Sequence, residues 1–430
     1  MPTSSESRAV ADMPEFRSTA DQAAADDSSA ALPTTVAPAG TTTGIWVPGP
    51  RPDAAAGSVS GAAGYSANSP VREAASAAFN LLGGHLPPVP LSAHPSADRW
   101  GADAIGRAVG LLTELHVDRA SFGWRLTSAG GRDERLESSA LSEAFHAIAE
   151  YGEGYTGQVQ VSLPGPWTLV TALSLSSGAG VLGDFGARRD VVQAYAFGIA
   201  EFAAKLSGLG LQPVIRLVES RLRPVLTGTW PTVSGWGTLP AVSETQVYAA
   251  LQSTLSHLPP VLLSLPDAEP VHLQGKEITA AEVVRNSGAT AVSVPLASLK
   301  ARGWEQMAMI AEAGVGPWLH LPQHAGSRPK EVKHWLKRIE EPWRRIGMGA
   351  STLRDFGVLA GEELPMTYPP LLTSVGAPVG SGDTGESNAP AGSDAGSKAP
   401  VGTAGPNAKN LSLGTMMIAA GLRRAFEEIE

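Results

Sequence analysis

Short apolar runs and helix-patterned stretches take turns along most of this 430-residue chain. The runs fall at 43–47, 120–126, 158–163, 212–219, 270–274, 289–294, 316–321 and 356–360. Helical patterns occupy 98–116, 137–151, 188–206, 243–258, 279–287, 299–313 and 329–345. In the third of these, Val191, Val192, Tyr195, Ala196, Ile199, Phe202 and Ala203 recur three and four residues apart, which makes one apolar stripe. A strand followed by a helix cannot fold back as a tight hairpin, so this alternation selects a parallel sheet covered by helices. Eight strand-then-helix units fit a single α/β TIM barrel, (β/α)8, with a doubly wound open sheet as the alternative. A barrel places its sites at the C-terminal ends of the strands, so the residues that close each strand are the candidates.

The remaining segments read differently. Residues 1–40 are rich in Ala, Ser, Thr and Asp and carry almost no large apolar side chains, so a disordered tail is expected. Residues 375–410 are Gly, Ala, Ser and Pro without periodicity, the composition of a flexible linker. In 411–430, Leu413, Met416, Met417, Ala420, Leu422, Phe426 and Ile429 return at helical spacing. The expected organisation is a tail (1–40), a barrel (41–374), an insertion (375–410) and a closing helix (411–430).

Composition removes whole classes of chemistry. There is no Cys, which excludes disulfides, thiolate nucleophiles, Fe–S clusters and Cys-bound zinc. With 32 Lys+Arg against 41 Asp+Glu the net charge is −9, and no basic run suggests a nucleic-acid groove. No uninterrupted apolar stretch is long enough to span a bilayer, and the N-terminal segment is polar, so a cytoplasmic protein is expected.

Few motifs carry chemistry. There is no GxxxxGK[ST], no GxGxxG after a strand, no HExxH and no GxSxG. His320 and His324 stand four apart, but Pro322 between them argues against a helix that would bring both imidazoles to one metal. Glu219 and His272 each close an apolar run, where they suit an acid–base pair or two metal ligands. The plainer reading is a hydrogen-bonded His272 and a salt bridge between Arg216 and Glu219. The turn Leu163-Pro164-Gly165-Pro166-Trp167-Thr168 joins a strand to a helix that Thr168 can cap. Trp46, Trp124, Trp167, Trp230 and Trp236 lie near strand ends or in loops, where each can stack on a planar ligand or pack inside.

Taken in order, five segments resemble the catalytic barrel of cobalamin-independent methionine synthase, in its short stand-alone form within the uroporphyrinogen decarboxylase/methionine synthase superfamily. They are TGIWVPG at 43–49, GADAIGRAVGLL at 101–112, LPGPWTL at 163–169, RLVES at 216–220 with PTVSGWGTL at 231–239, and PVHLQ at 270–274 with ATAVSVPLASL at 289–299. That resemblance implies a TIM barrel that moves a methyl group from 5-methyltetrahydrofolate to homocysteine in methionine biosynthesis. It also implies a zinc ion held by a His, two Cys and an acidic residue, keeping the substrate sulfur as thiolate.

Carried over residue by residue, the His ligand is His272, the first Cys falls at Gln274 and the acidic ligand at about Pro295. The second Cys falls at Phe356 or Glu363, so one donor of four remains. A lone imidazole is a poor zinc site, and the residues themselves suggest that no cofactor is held. The readings left open are a degenerate methyltransferase, a non-catalytic barrel that binds a folate-like or amino-acid-like molecule, and a metal-free enzyme of the superfamily. The candidate ligand-binding residues are Glu219, His272, Gln274, Trp46 and Thr168.

Overall fold

A computed structural model of the chain describes residues 43–45, 70–82, 89, 104–120, 123–232, 234–273, 275–322, 328–360, 418–419, 421–422 and 424–429. Along the chain these form β1 (Thr43–Ile45), α1 (Pro70–Leu82), α2 (Ala104–Val109), β2 (His116–Ala120), β3 (Gly123–Thr127) and α3 (Arg132–Tyr151). Next come β4 (Gln158–Pro164), α4 (Pro166–Ala172), β5 (Leu173–Ser174), α5 (Phe185–Gly208), β6 (Gln212–Val218), α6 (Leu222–Thr227) and α7 (Glu244–Leu255). Then follow β7 (Val261–Ser264), β8 (Val271–Leu273), β9 (Lys276–Ile278), α8 (Ala280–Ser287), β10 (Ala291–Pro295), α9 (Ala301–Glu312), β11 (Gly316–His320), α10 (Pro329–Arg345) and β12 (Gly357–Ala360). No described helix is long and apolar enough to cross a membrane.

Seven strands form one sheet in the order β1-β12-β11-β10-β7-β6-β4, and every pairing in it is parallel. The order follows the chain, and the last strand pairs with the first. The described strands leave β1 and β4 as the two edges. Strand alternation then sorts the side chains. One face carries Val161, Leu163, Ile215, Leu217, Leu263, Val292, Val294, Leu319 and Val358, all buried in the main core under the helices. Helix ends follow local chemistry. Asp184 accepts from the Ala187 N–H to start α5, and Thr279 and Glu282 form a capping box on α8. Helix α8 stops at Gly288, whose φ of 76° is the left-handed conformation that glycine adopts at low cost.

Two of the eight expected strands lie elsewhere. The run at 120–126 straddles a chain reversal: β2 and β3 pair antiparallel, and with β5 they make a separate three-stranded sheet. A two-residue connection cannot carry a parallel crossover. The run at 270–274 is also not in the main sheet. Strand β8 pairs antiparallel with β9 around Gly275, whose φ is 84°. The parallel strand in that position is β7, the first four residues of a five-residue run between Pro260 and Pro266 in which every residue is buried. Of the expected helix at 98–116, only α2 is helical among the described residues, and β2 already begins at His116.

The tail at 1–40 and the insertion at 375–410 lie outside the described residues. In the closing segment, residues 418–419, 421–422 and 424–427 are helical, with Ile418, Ala419, Leu422 and Phe426 buried. A side chain at Gly421 would meet Val332 of α10 at 2.7 Å, so glycine lets this segment lie close against that helix.

Candidate ligand-binding site at the strand ends

The turn after β4 is built around Glu219, the residue that follows β6. The Gly165 N–H donates to the Val218 carbonyl at 2.9 Å, which holds the turn against the neighbouring strand. Pro166 opens α4, where its missing N–H costs nothing. The next two backbone N–H groups have no partner inside the helix and turn to Glu219. Trp167 N donates to Oε1 at 3.0 Å and Thr168 N to Oε2 at 2.9 Å. Thr168 Oγ1 adds a third bond to Oε2 at 2.8 Å. The carboxylate occupies the space that a β-carbon on Gly165 would need, which is why the position is glycine.

Glu219 is fully buried. Burial outweighs its three hydrogen bonds and raises its pKa from 4.5 to about 7. Tyr195 donates its hydroxyl to the Pro164 carbonyl at 2.9 Å, and burial together with the nearby Glu219 pushes its pKa up.

The second face of the parallel sheet changes character along its strands. Val214 is followed by Arg216, Leu262 by Ser264, Ala291 by Ser293 and Trp318 by His320, each pair on one face of its strand. Val214, Leu262, Ala291, Trp318 and Leu359 form a small apolar cluster. Arg216, Ser264, Ser293 and His320 are polar, yet all are buried. Because the strands are parallel, the polar members all lie nearer the C-terminal ends. Arg216 Nε donates to Ser264 Oγ at 2.8 Å, and Ser264 Oγ shares a short hydrogen bond with Ser293 Oγ. A guanidinium and two hydroxyls are thereby joined across β6, β7 and β10. On β4, Gln160 Nε2 donates to Ser162 Oγ at 2.9 Å, while the buried Gln160 Oε1 has no partner among the described residues. At the base of this face, the Trp318 indole fills the space beside Gly357.

The structure brings Thr168 and Glu219 into contact and keeps His272 apart from them. His272 sits on the β8–β9 hairpin with its side chain 68% exposed, and its Nδ1 is 3.9 Å from Glu277 Oε2. It closes no strand of the main sheet. Trp46 and Gln274 lie outside the described residues, as do His324 and Glu363. Pro295 ends β10, and Phe356 is buried just before β12.

The expected Arg216–Glu219 pairing gives way to two separate networks. Arg216 reaches across the sheet face to Ser264, whereas Glu219 turns to the start of α4. Of the tryptophans, Trp124, Trp167 and Trp230 are buried and Trp236 is 96% exposed. Among the described residues no three His, Asp or Glu converge as a metal site would need. Sequence reasoning did not single out Ser264 or Ser293. Their signal was a serine placed two residues after an apolar residue in each of two short buried runs.

No protein-family profile matches the chain, and no curated protein does. Among solved structures it is similar to a B12-independent methionine synthase from Shewanella sp. W3-18-1 in complex with selenomethionine, at 11% identity over 74% of this chain and 75% of that one, TM-score 0.38. A putative sugar phosphate isomerase/epimerase from Anabaena variabilis is similar at 13% identity over 71% of this chain and 87% of that one, TM-score 0.34. A broad-specificity endoglucanase from Clostridium longisporum is similar at 8% identity over 76% and 99%, TM-score 0.30. Likenesses this shallow show neither a family nor an activity, and the α/β architecture rests on the strand pairing itself.

Proposed function

We propose that the chain is a (β/α)8 barrel that binds a small, carboxylate-bearing, amino-acid-like molecule at the C-terminal ends of its parallel strands, without zinc. Two contacts support the closed barrel. Strand β12 pairs with β1, and the Val89 N–H donates to the Gln160 carbonyl at 2.8 Å. Gly157 accepts from the Gln212 N–H, so alternate carbonyls of β4 point to β6 and that of Gln160 points away. Val89 therefore lies on the side of β4 away from β6, where the proposal has a segment close the gap to β1.

One observation carries the binding reading: the buried Arg216–Ser264–Ser293 relay on the inner face. Barrel interiors are filled mainly by branched apolar side chains. A buried guanidinium near the strand ends is instead the donor suited to a carboxylate. The amino-acid-like character follows from the resemblance in the loop at 163–169 and the strand end at 216–220.

The zinc donors that the resemblance implies do not fit the metal. His272 stands on an exposed hairpin, and neither Gln274 nor Pro295 supplies an anion. Methyl transfer through a zinc thiolate is therefore not part of this proposal. A cytoplasmic setting goes with it.

Thermal unfolding in the presence of methionine, homocysteine, methionine methyl ester and 5-methyltetrahydrofolate tests the reading. Methionine or homocysteine should raise the Tm, the ester with its blocked carboxylate should not, and Arg216→Met or Ser293→Ala should abolish the rise. No shift with either amino acid would overturn the proposal. Stoichiometric zinc in the purified protein would return the methyltransferase reading to first place.

A further inference from the structure

A concavity lies on the outer, helical layer, between α5 and α7. Its volume is about 570 Å³, which is in the range of small-molecule sites. Phe185, Val192, Ala196 and Phe197 of α5 face Ala249 and Ala250 of α7 across it, over a floor formed by Trp167. Phe185 is 60% exposed and Phe197 49% exposed, so two aromatic side chains stand in water at the two ends of an apolar trough.

The arginines are confined to one end. Arg188 and Arg189 line the end beside Phe185, His257 lines the end beside Phe197, and no Asp or Glu is among the described lining residues. Arg188 donates to the Leu182 carbonyl at 2.8 Å, and its guanidinium carbon lies 5.8 Å from the centre of the Phe185 ring. Asp184, the cap of α5, is the anion near it. Arg189 is engaged with Asp190 at 2.9 Å on the exposed side. His257 Nδ1 contacts the Ser253 carbonyl at 2.7 Å, and its ring packs edge-on against Phe197. From Arg188 to Phe197 the helix rises about 13 Å.

We propose that this trough is a separate binding site for an elongated amphipathic carboxylate, with its apolar body along Val192, Ala196 and Ala249 and its anionic end at Arg188. Three features fit that ligand together: an apolar trough about 13 Å long, a cation at one end, and no opposing carboxylate in the lining. The trough is too small to bury the surface that a stable protein partner needs. It lies apart from the inner-face relay and does not depend on it.

Calorimetric titration of the full chain with decanoate, below its micelle concentration, tests the proposal. One saturable equivalent should bind, and 1-decanol should bind about tenfold more weakly because it lacks the charge. Arg188→Gln should weaken decanoate by a similar factor. Ala249→Trp, a substitution at an exposed position, should fill the trough and abolish binding while circular dichroism shows an unchanged fold. Arg216→Met should leave decanoate binding intact, which separates this site from the inner-face one. Absence of saturable binding, equal affinity for the alcohol, or full binding by Ala249→Trp would each overturn the assignment.

Discussion

Thr168 Oγ1 donates to Glu219 Oε2 over 2.8 Å, tying the first turn of α4 to the end of the neighbouring strand β6. Neutral hydrogen bonds contribute about 1 kcal/mol net, and those to a charged group up to about 3 kcal/mol. Thr168→Val keeps the shape and removes the donor. Urea unfolding should show a loss of about 1–2 kcal/mol. The pKa of Glu219 should rise further, because the lost bond favoured its ionised form.

Glu219 also makes stability depend on pH. Its pKa is raised from 4.5 to about 7 by burial. The folded state therefore holds the proton more tightly than the unfolded chain. Its favourable contribution is fully present below about pH 4.5 and is lost as pH rises toward 7. That change amounts to about 3 kcal/mol. Glu219→Gln cannot titrate, so the stability difference, wild type minus variant, should fall by about this amount between pH 4.5 and 8. A difference that stays constant across the range would show that burial does not control this carboxyl.

Gly165 faces the same carboxylate with no room for a β-carbon. Because three hydrogen bonds hold Glu219 in place, the carboxylate cannot swing aside cheaply. Gly165→Ala should cost about 1–3 kcal/mol, the range for forced overpacking. The urea midpoint should drop with an unchanged m-value.

Between α2 and α3, Arg107 and Glu137 form an ion pair whose side chains are only 3% and 4% exposed. Breaking a buried pair is costly, so Glu137→Ala should cost about 3–5 kcal/mol. The double variant Arg107→Met/Glu137→Leu should recover most of that loss, since two apolar groups of similar size carry no such penalty. Denaturant curves for the two single variants and the double variant measure this directly.

Phe426 tests the closing helix. It is fully buried, together with Leu422 and Ile418. Phe426→Ala should cost about 3–5 kcal/mol if the last segment is part of the folded unit. A Tm close to that of the wild type would mean that this helix adds little to the core.

The sequence alone determined the parallel α/β plan, because a strand-length apolar run and a helical stripe can alternate over hundreds of residues only when each strand needs a helix to reach the next. It also placed two strand ends to within one residue: runs expected to close at Leu163 and Glu219 end at Pro164 and Val218, since both are long and bounded by polar or turn-forming residues. The turn at Gly165 was legible for the same reason, but the expected cap was not: Gly165 is the N-cap of α4, and Thr168 lies inside the helix with its hydroxyl on Glu219.

Only the tertiary structure decided which apolar runs join the main sheet. A run of alternating or buried residues looks the same whether its hydrogen-bond partner is the adjacent hairpin arm or a strand far along the chain. That is why the runs at 120–126 and 270–274 left the main sheet, why Val261–Ser264 entered it, and why His272 stands in water rather than at a strand end. The same holds for Arg216. Its charge was visible in the sequence, but its hydroxyl partner Ser264 lies 48 residues away, and the partner of that serine, Ser293, stands on the next strand. Such partners meet only through the register of the folded sheet.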